Sequence, residues 1–301
     1  MAAGARLETD GAPGHTPREE EMAQLSGKVA IVTGCGGEHG LGRGIAKRLA
    51  AEGADLVVTD VALAGTPIVA SKPGTGWRGL DAVVAEIRGL GRRAQPALLD
   101  IRHAGEIDRV MAQALEAFGR IDILVNNAAA PPGPDRVPVV ELSEEAWDTV
   151  LDTNLKGSFL CARAVARVLL ARGIRGRIIN IASDRAKIGT ASLAAYCTSK
   201  FGLVGLTQSL AMELAPAGIT VNAVCPGGVD SERLDYLGRR DDGSYDPAQR
   251  AAEIQRRAGA NPLGRLTRPA DVAELVAFLA SDGAEYITGQ AINVSGGSIM
   301  H

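Results

Sequence analysis

The sequence has little of what a metal centre, a disulfide scaffold, a membrane span or a nucleic-acid surface needs. Its four cysteines, Cys35, Cys161, Cys197 and Cys225, include no CxxC pair, and no histidine stands at ligand spacing from them. That argues against a metal site and against paired thiols, and points to reduced cysteines in a cytoplasmic protein. No apolar run approaches the roughly 18 residues of a spanning helix, so no membrane partner is expected. No Lys/Arg block stands out, and 32 basic against 35 acidic residues leave a net charge of -3. No nucleic-acid partner is expected on that balance. The N-terminal MAAGARLETDGAPGHTPREEEM lacks the apolar centre of a secretory signal and is too acidic for a transit peptide. Rich in Gly, Pro and charge, residues 1–25 are expected to form a mobile tail.

What is present is an alternation of short apolar runs with longer helical patterns. KVAIVTG (28–34), ADLVVTD (54–60), IDILVNN (121–127), GRIINIAS (176–183), GITVNAVCPG (218–227) and AINVSGG (291–297) read as strands covered on both faces. A weaker strand, RRAQPALLD (92–100), contains Pro96, which cannot donate a ladder hydrogen bond and belongs at a sheet edge. Helices are expected at roughly 41–52, 78–90, 104–118, 143–172, 192–215 and 269–281. The fold class is therefore α/β: one Rossmann domain over 26–301, a doubly wound parallel seven-stranded sheet flanked by helices. Two excursions are too long for simple connections: an insertion at 61–77, and residues 228–262, expected to form a substrate lid.

The stretch IVTGCGGEHGLGRGI places six glycines within eleven residues, from Gly34 to Gly44, behind the first strand. Such a turn lets backbone N–H groups approach a diphosphate at a helix N-terminus. The second strand ends in Asp60, which can accept hydrogen bonds from a ribose and would repel the extra phosphate of NADP. The expected cofactor is NAD.

In AAYCTSKFGL, Tyr196 and Lys200 are four residues apart and emerge on one helix face. A tyrosine with its ordinary pKa of about 10 is a poor base, and a nearby ammonium favours the phenolate. Ser183, thirteen residues upstream at the end of a buried strand, can hydrogen-bond a substrate oxygen. A YxxxK alone would more often be a solvated helix face. Together the three residues describe proton removal from an alcohol whose hydride passes to NAD.

TG…GLG, NNAA, IASDR, YCTSK and PGGVDS in this order resemble the short-chain dehydrogenase/reductase family, over about residues 26–299. The resemblance implies that Tyr196 is the acid/base, Lys200 its ribose-binding partner and Ser183 the residue positioning the reacting oxygen. It implies that Asn154, in LDTNLKG, holds a proton-relay water. Gly34, Gly40 and Gly42, with Leu41 in the same GLG turn, are implied to bind the diphosphate. Asp60 is implied to select NAD, Asp100 and Ile101 to contact adenine, and Asn127 to lie beside the cofactor. Pro226, Gly227, Val229 and Ser231 match the segment that contacts the nicotinamide carboxamide. The family also implies a homotetramer packed through helices 143–172 and 192–215 and the C-terminal segment.

The sequence departs from the family pattern in four places. CGGEH is two residues longer than the usual turn, with Glu38 and His39 at its far end, and Gly36 and Gly37 are expected to keep the longer loop near the phosphates. Ala129 replaces a glycine, Ser231 a threonine, and Ser295 a common aspartate. The 61–77 insertion would lie near the adenine end, and relatives with insertions there resemble nicotinoproteins, which retain NAD between turnovers. The expected substrate is a small molecule, a secondary alcohol or its ketone, walled by Asp184, Ala186, Ile188, Leu193, Gly228 and the lid, with no clear anion clamp. Arg185 is a candidate for a substrate carboxylate. The alternatives are an NADP-dependent carbonyl or 3-oxoacyl reductase and a non-catalytic NAD-binding module.

Overall fold

The computed structural model describes residues 24–64 and 75–301. Residues 1–23, most of the expected tail, and 65–74, the middle of the insertion, lie outside the described residues. Leu25 is fully buried and packs in the core.

Seven strands form one sheet: β1 (Val29–Thr33), β2 (Asp55–Asp60), β3 (Ala94–Leu98), β4 (Ile123–Asn126), β5 (Arg177–Ile181), β6 (Thr220–Pro226) and β7 (Ala291–Val294). Their order is β3-β2-β1-β4-β5-β6-β7, and every pairing is parallel. Pro96 sits in β3, at the outer edge, as its missing N–H requires.

The helices are α1 (Leu41–Ala51), α2 (Leu80–Gly89), α3 (Ala104–Phe118), α4 (Glu144–Leu151), α5 (Ser158–Arg172), α6 (Ala194–Leu214), α7 (Pro247–Gly259) and α8 (Pro269–Ala280). Successive strand residues face opposite layers. Ala30 and Val32 pack with Ile45, Leu49, Val83 and Val276 of α1, α2 and α8, while Ile31 packs with Val110, Val165 and Leu169 of α3 and α5. Both faces are covered, which is why β1 reads as an unbroken apolar run. Each large aliphatic side chain so buried contributes about 1.5–3 kcal/mol.

The helix expected at 143–172 is interrupted. Between α4 and α5, Asp152–Gly157 widens into a π-turn. Thr153 Oγ1 donates to Thr149 O at 2.8 Å and Ser158 Oγ to Asn154 O at 2.8 Å. Gly157 passes so close to Ile101 that a Cβ there would lie 2.7 Å from its Cδ1. Hydroxyls bonding back to the helix and a close neighbour are what shift its winding.

The 228–262 segment contains a helix the sequence reading did not anticipate, α7. Its start was legible: Asp246 caps it, accepting from Ala248 N–H at 2.8 Å, and Pro247 occupies the first helical position.

Candidate active site

β1 pairs with β2 on one side and β4 on the other, so the carboxyl ends of β1 and β4 bound the crevice where doubly wound sheets bind ligands. The glycine turn lies there. Gly34 has φ +71°, and a Cβ on it would meet Ala128 Cα at 2.8 Å. A Cβ on Gly42 would lie 2.2 Å from Gly34 O. Asn127 stitches the turn to β4: its Nδ2 donates to Thr33 O at 2.8 Å and to Gly34 O at 2.9 Å. Gly40, the N-cap of α1, offers no side-chain cap. The first-turn N–H groups of α1 are thus left for an anion, and the cradle suits a dinucleotide diphosphate.

The extended part of the turn has its own partners. Gly36 N–H donates to Asp60 Oδ2 at 2.7 Å, and Val61 N–H to Asp60 Oδ1 at 2.8 Å. Burial raises the Asp60 pKa above its ordinary value, and these N–H donors oppose the rise. His39 N–H donates to Glu232 Oε1 at 2.6 Å, and a Cβ on Gly37 would lie 2.8 Å from Glu232 Oε2. Gly37 therefore makes room for the Glu232 carboxylate. The trailing end of the 61–77 insertion also reaches this turn. Trp77 Nε1 donates to Gly36 O at 2.8 Å, the Trp77 ring lies 4.9 Å beneath the Arg43 guanidinium, and Thr75 bonds the Glu38 carboxylate.

Ser183, Tyr196 and Lys200 line one cavity of 560 Å³, together with Leu41, Asn127, Pro226, Gly227, Val229 and Ser231. Gly34, Gly40, Gly42, Asp60, Asp100 and Ile101 lie outside this cavity. Asp100 is held by Arg102 at 2.6 Å, which lowers its pKa, and Ile101 is buried against the π-turn.

Ser183 Oγ donates to Asp184 Oδ1 at 3.0 Å and accepts Arg185 N–H at 3.2 Å. Lys200 Nζ donates to Ile181 O at 2.7 Å and lies 5.9 Å from the Tyr196 ring centre. Burial, reinforced by the Arg233 charge, pulls the Lys200 ammonium down to about 7. Asn154 sits behind the cavity: Oδ1 accepts Ala130 N–H at 2.8 Å, and Nδ2 donates to Ser199 Oγ at 3.0 Å. It makes no direct hydrogen bond to Lys200 among the described residues. The helix carrying Tyr196 and Lys200 is fixed to the sheet by Asn180 Nδ2, which donates to Thr207 Oγ1 at 2.9 Å.

Asp184, Leu193 and Gly228 line the cavity as expected, whereas Ala186 and Ile188 do not. Arg185 is paired with Asp184 at 3.7 Å. The cavity also carries two basic residues that the expected wall did not name. Arg136, from the loop after β4, and Arg233, from the Glu232–Gly238 segment of the lid, both line the cavity. Nothing local in the sequence signals this, because Arg136 and its partner Tyr236 are 100 residues apart.

A family model described as enoyl-(acyl carrier protein) reductase matches residues 34–298. Galactitol 2-dehydrogenase of Agrobacterium fabrum is 36% identical over 283 residues, covering 92% of this chain and 99% of the relative. The chain belongs to the short-chain dehydrogenase/reductase family. It is similarly related to a 3-oxoacyl-(acyl-carrier-protein) reductase of Staphylococcus aureus, 38% identical over 273 residues, covering 91% of this chain and 98% of the relative. Among solved structures, carveol dehydrogenase from Mycobacterium avium in complex with NAD superposes with a TM-score of 0.80. It shares 29% identity and covers 92% of this chain and 99% of its own. This short-chain dehydrogenase/reductase is an oxidoreductase that uses a nicotinamide cofactor. No helix among its described residues is long and apolar enough to cross a membrane.

Proposed function

We propose that the protein is an NAD-dependent dehydrogenase that interconverts a secondary alcohol and its ketone. The observation that carries this reading is the convergence of Ser183, Tyr196 and Lys200 on one cavity with the Pro226–Ser231 segment. When bound, NAD supplies the hydride acceptor, and NADH the hydride for the reverse direction. Tyr196 takes the hydroxyl proton, or returns it. Ser183 donates to the substrate oxygen and holds it at Tyr196, Asp184 being the partner it exchanges for that contact. Lys200, with a pKa of about 7, passes protons onward at neutral pH. Asn154 ties Ala130 to Ser199 and so sets the distance between the β4 exit and the Tyr196 helix.

Gly34, Gly40, Leu41 and Gly42 cradle the diphosphate, Asp100 and Ile101 bound the adenine, and Asn127, Pro226, Gly227, Val229 and Ser231 bound the nicotinamide end. The preference for NAD rests on Asp60. Its carboxylate ends β2 beside the turn, where the extra phosphate of NADP would meet a buried negative charge. A homotetramer in the cytoplasm completes the reading. Exposed Phe159 and Leu170 on α5 and Phe201 and Met212 on α6 support the assembly. All four cysteines are free and buried, which suits a reducing compartment.

The test is turnover of a panel of secondary alcohols with NAD and with NADP, alongside Tyr196→Phe. NAD-dependent activity that the variant loses supports the reading. A preference for NADP would transfer it to the carbonyl reductases, and activity retained by Tyr196→Phe would overturn the assignment of the acid/base.

A further inference from the structure

Two arginines that line the catalytic cavity make no ion pair with a carboxylate among the described residues. The Arg136 guanidinium lies 4.7 Å from the Tyr236 ring centre and 6.0 Å from that of Tyr196. Its hydrogen bond within the protein is from Nη1 to Tyr236 Oη at 3.3 Å, and its Nε is buried with no partner. Among the described residues Arg233 donates to backbone, to Ala129 O at 3.4 Å and Ala130 O at 2.8 Å. Asp184, which lines the cavity, accepts from Ser183 and pairs with Arg185, while the buried Asp135 accepts Gly133 N–H at 3.0 Å and acts on Arg233 through its charge without an ion pair.

A larger groove of 810 Å³, between α1, α8 and the lid, shows the contrast. It too is lined with basic residues, yet Arg43 pairs with Glu86, Arg48 with Glu274 and Arg250 with Asp235. The catalytic cavity is lined by Arg136, Arg185, Lys200, Arg233 and Arg257 against the single carboxylate of Asp184. Arg185 and Arg257 have carboxylate partners in Asp184 and Glu253. A desolvated guanidinium left without an anion is unfavourable, and its planar fork matches a carboxylate in two parallel hydrogen bonds.

We propose that the substrate is an anion, a hydroxy acid and its oxo acid, whose carboxylate docks on Arg136 and Arg233 while its carbinol carbon faces Tyr196. This rests on the dehydrogenase reading above. Arg136 approaches the face of Tyr196, so the carboxylate lies within a few bonds of the reacting carbon.

Calorimetric titration of the NADH-saturated protein tests it, with pyruvate, acetoacetate and levulinate as 2-, 3- and 4-oxo acids and with their primary amides. At one chain length the acid should bind at least tenfold more tightly than its amide. Arg136→Met should abolish that preference without changing the Kd for NADH or the Tm, and Arg136→Lys should restore part of it. Equal binding of acid and amide at every length overturns the proposal. So does an acid preference that survives in both Arg136→Met and Arg233→Met. A parallel loss of NADH affinity also overturns it, assigning the arginines to the cofactor diphosphate. Following NADH oxidation in the same samples separates the two readings. Amides reduced as well as acids would reject the anionic substrate and keep the dehydrogenase. Acids bound selectively but never reduced would reject the dehydrogenase and keep the arginine clamp.

Discussion

The carboxylate of Glu232, on the lid, accepts the backbone N–H of His39, on the glycine turn, at 2.6 Å. A negatively charged side chain thus already uses one of the donors that an incoming diphosphate would seek. Glu232→Gln keeps the shape and removes the charge, so NAD should bind roughly fivefold more tightly, the factor that about 1 kcal/mol gives. Fluorescence titration with NAD measures it. An unchanged or weakened affinity would show that the Glu232 charge serves lid closure instead.

Gly42 tests how tightly the turn closes. A Cβ there would lie 2.2 Å from Gly34 O and 2.7 Å from Asn127 Nδ2. The clash is with backbone, which cannot rotate away, so Gly42→Ala should destabilise the fold by about 2–3 kcal/mol and abolish NAD binding. Urea denaturation and a binding titration read the two effects separately. An alanine that leaves both unchanged would mean that the turn is more open than described.

Asp60 tests cofactor choice. Asp60→Ser removes the carboxylate and keeps a group able to bond Gly36 N–H. The ratio of kcat/KM for NAD to that for NADP should fall by roughly a hundredfold, equivalent to about 2.7 kcal/mol. A ratio that does not move would place the discrimination elsewhere.

Lys200 gives stability a pH dependence of defined sign. Its ammonium titrates at about 7 in the fold and at 10.5 unperturbed. Between those values the unfolded chain binds the additional proton, so stability rises with pH across the window, by up to about 1.4 kcal/mol per pH unit. Urea denaturation at pH 7.5, 8.5 and 9.5 should show this rise, and Lys200→Met should flatten it. A wild-type profile falling over the same range would contradict the burial-driven shift.

The exposed aromatic on α6 tests assembly. Phe201→Glu, at a position 45% exposed, should leave the monomer folded and shift the mass measured by light scattering below that of a tetramer. An unchanged mass would remove α6 from the interface.

Much of this architecture could be read from residue order, because the signals are local. Pro96 placed β3 at the edge through its own missing N–H, and Ala30, Ile31 and Val32 marked a strand covered on both sides through their own side chains. The π-turn escaped notice because part of its cause is tertiary: beside the local hydroxyl bonds of Thr153 and Ser158, Gly157 gives way to Ile101, from the loop after β3. α7 escaped although Asp246-Pro247 announced it, since the polar lid around it gave no apolar stripe to confirm a helix. The arginines escaped for the deepest reason. A guanidinium in a polar loop reads as solvated until the fold brings Arg136 to Tyr236 and Arg233 to Ala130.

Glu232 and Arg233 are adjacent in sequence, yet the first touches the glycine turn and the second lines the substrate cavity. Their Cα atoms are one peptide apart, so a backbone shift at one reaches the other. A ligand that displaces Glu232 from the turn by moving its backbone also adjusts Arg233 against Ala129 and Ala130. On the proposed reading such a shift would link the two ligands, and the factor by which cofactor changes substrate affinity would equal the factor by which substrate changes cofactor affinity.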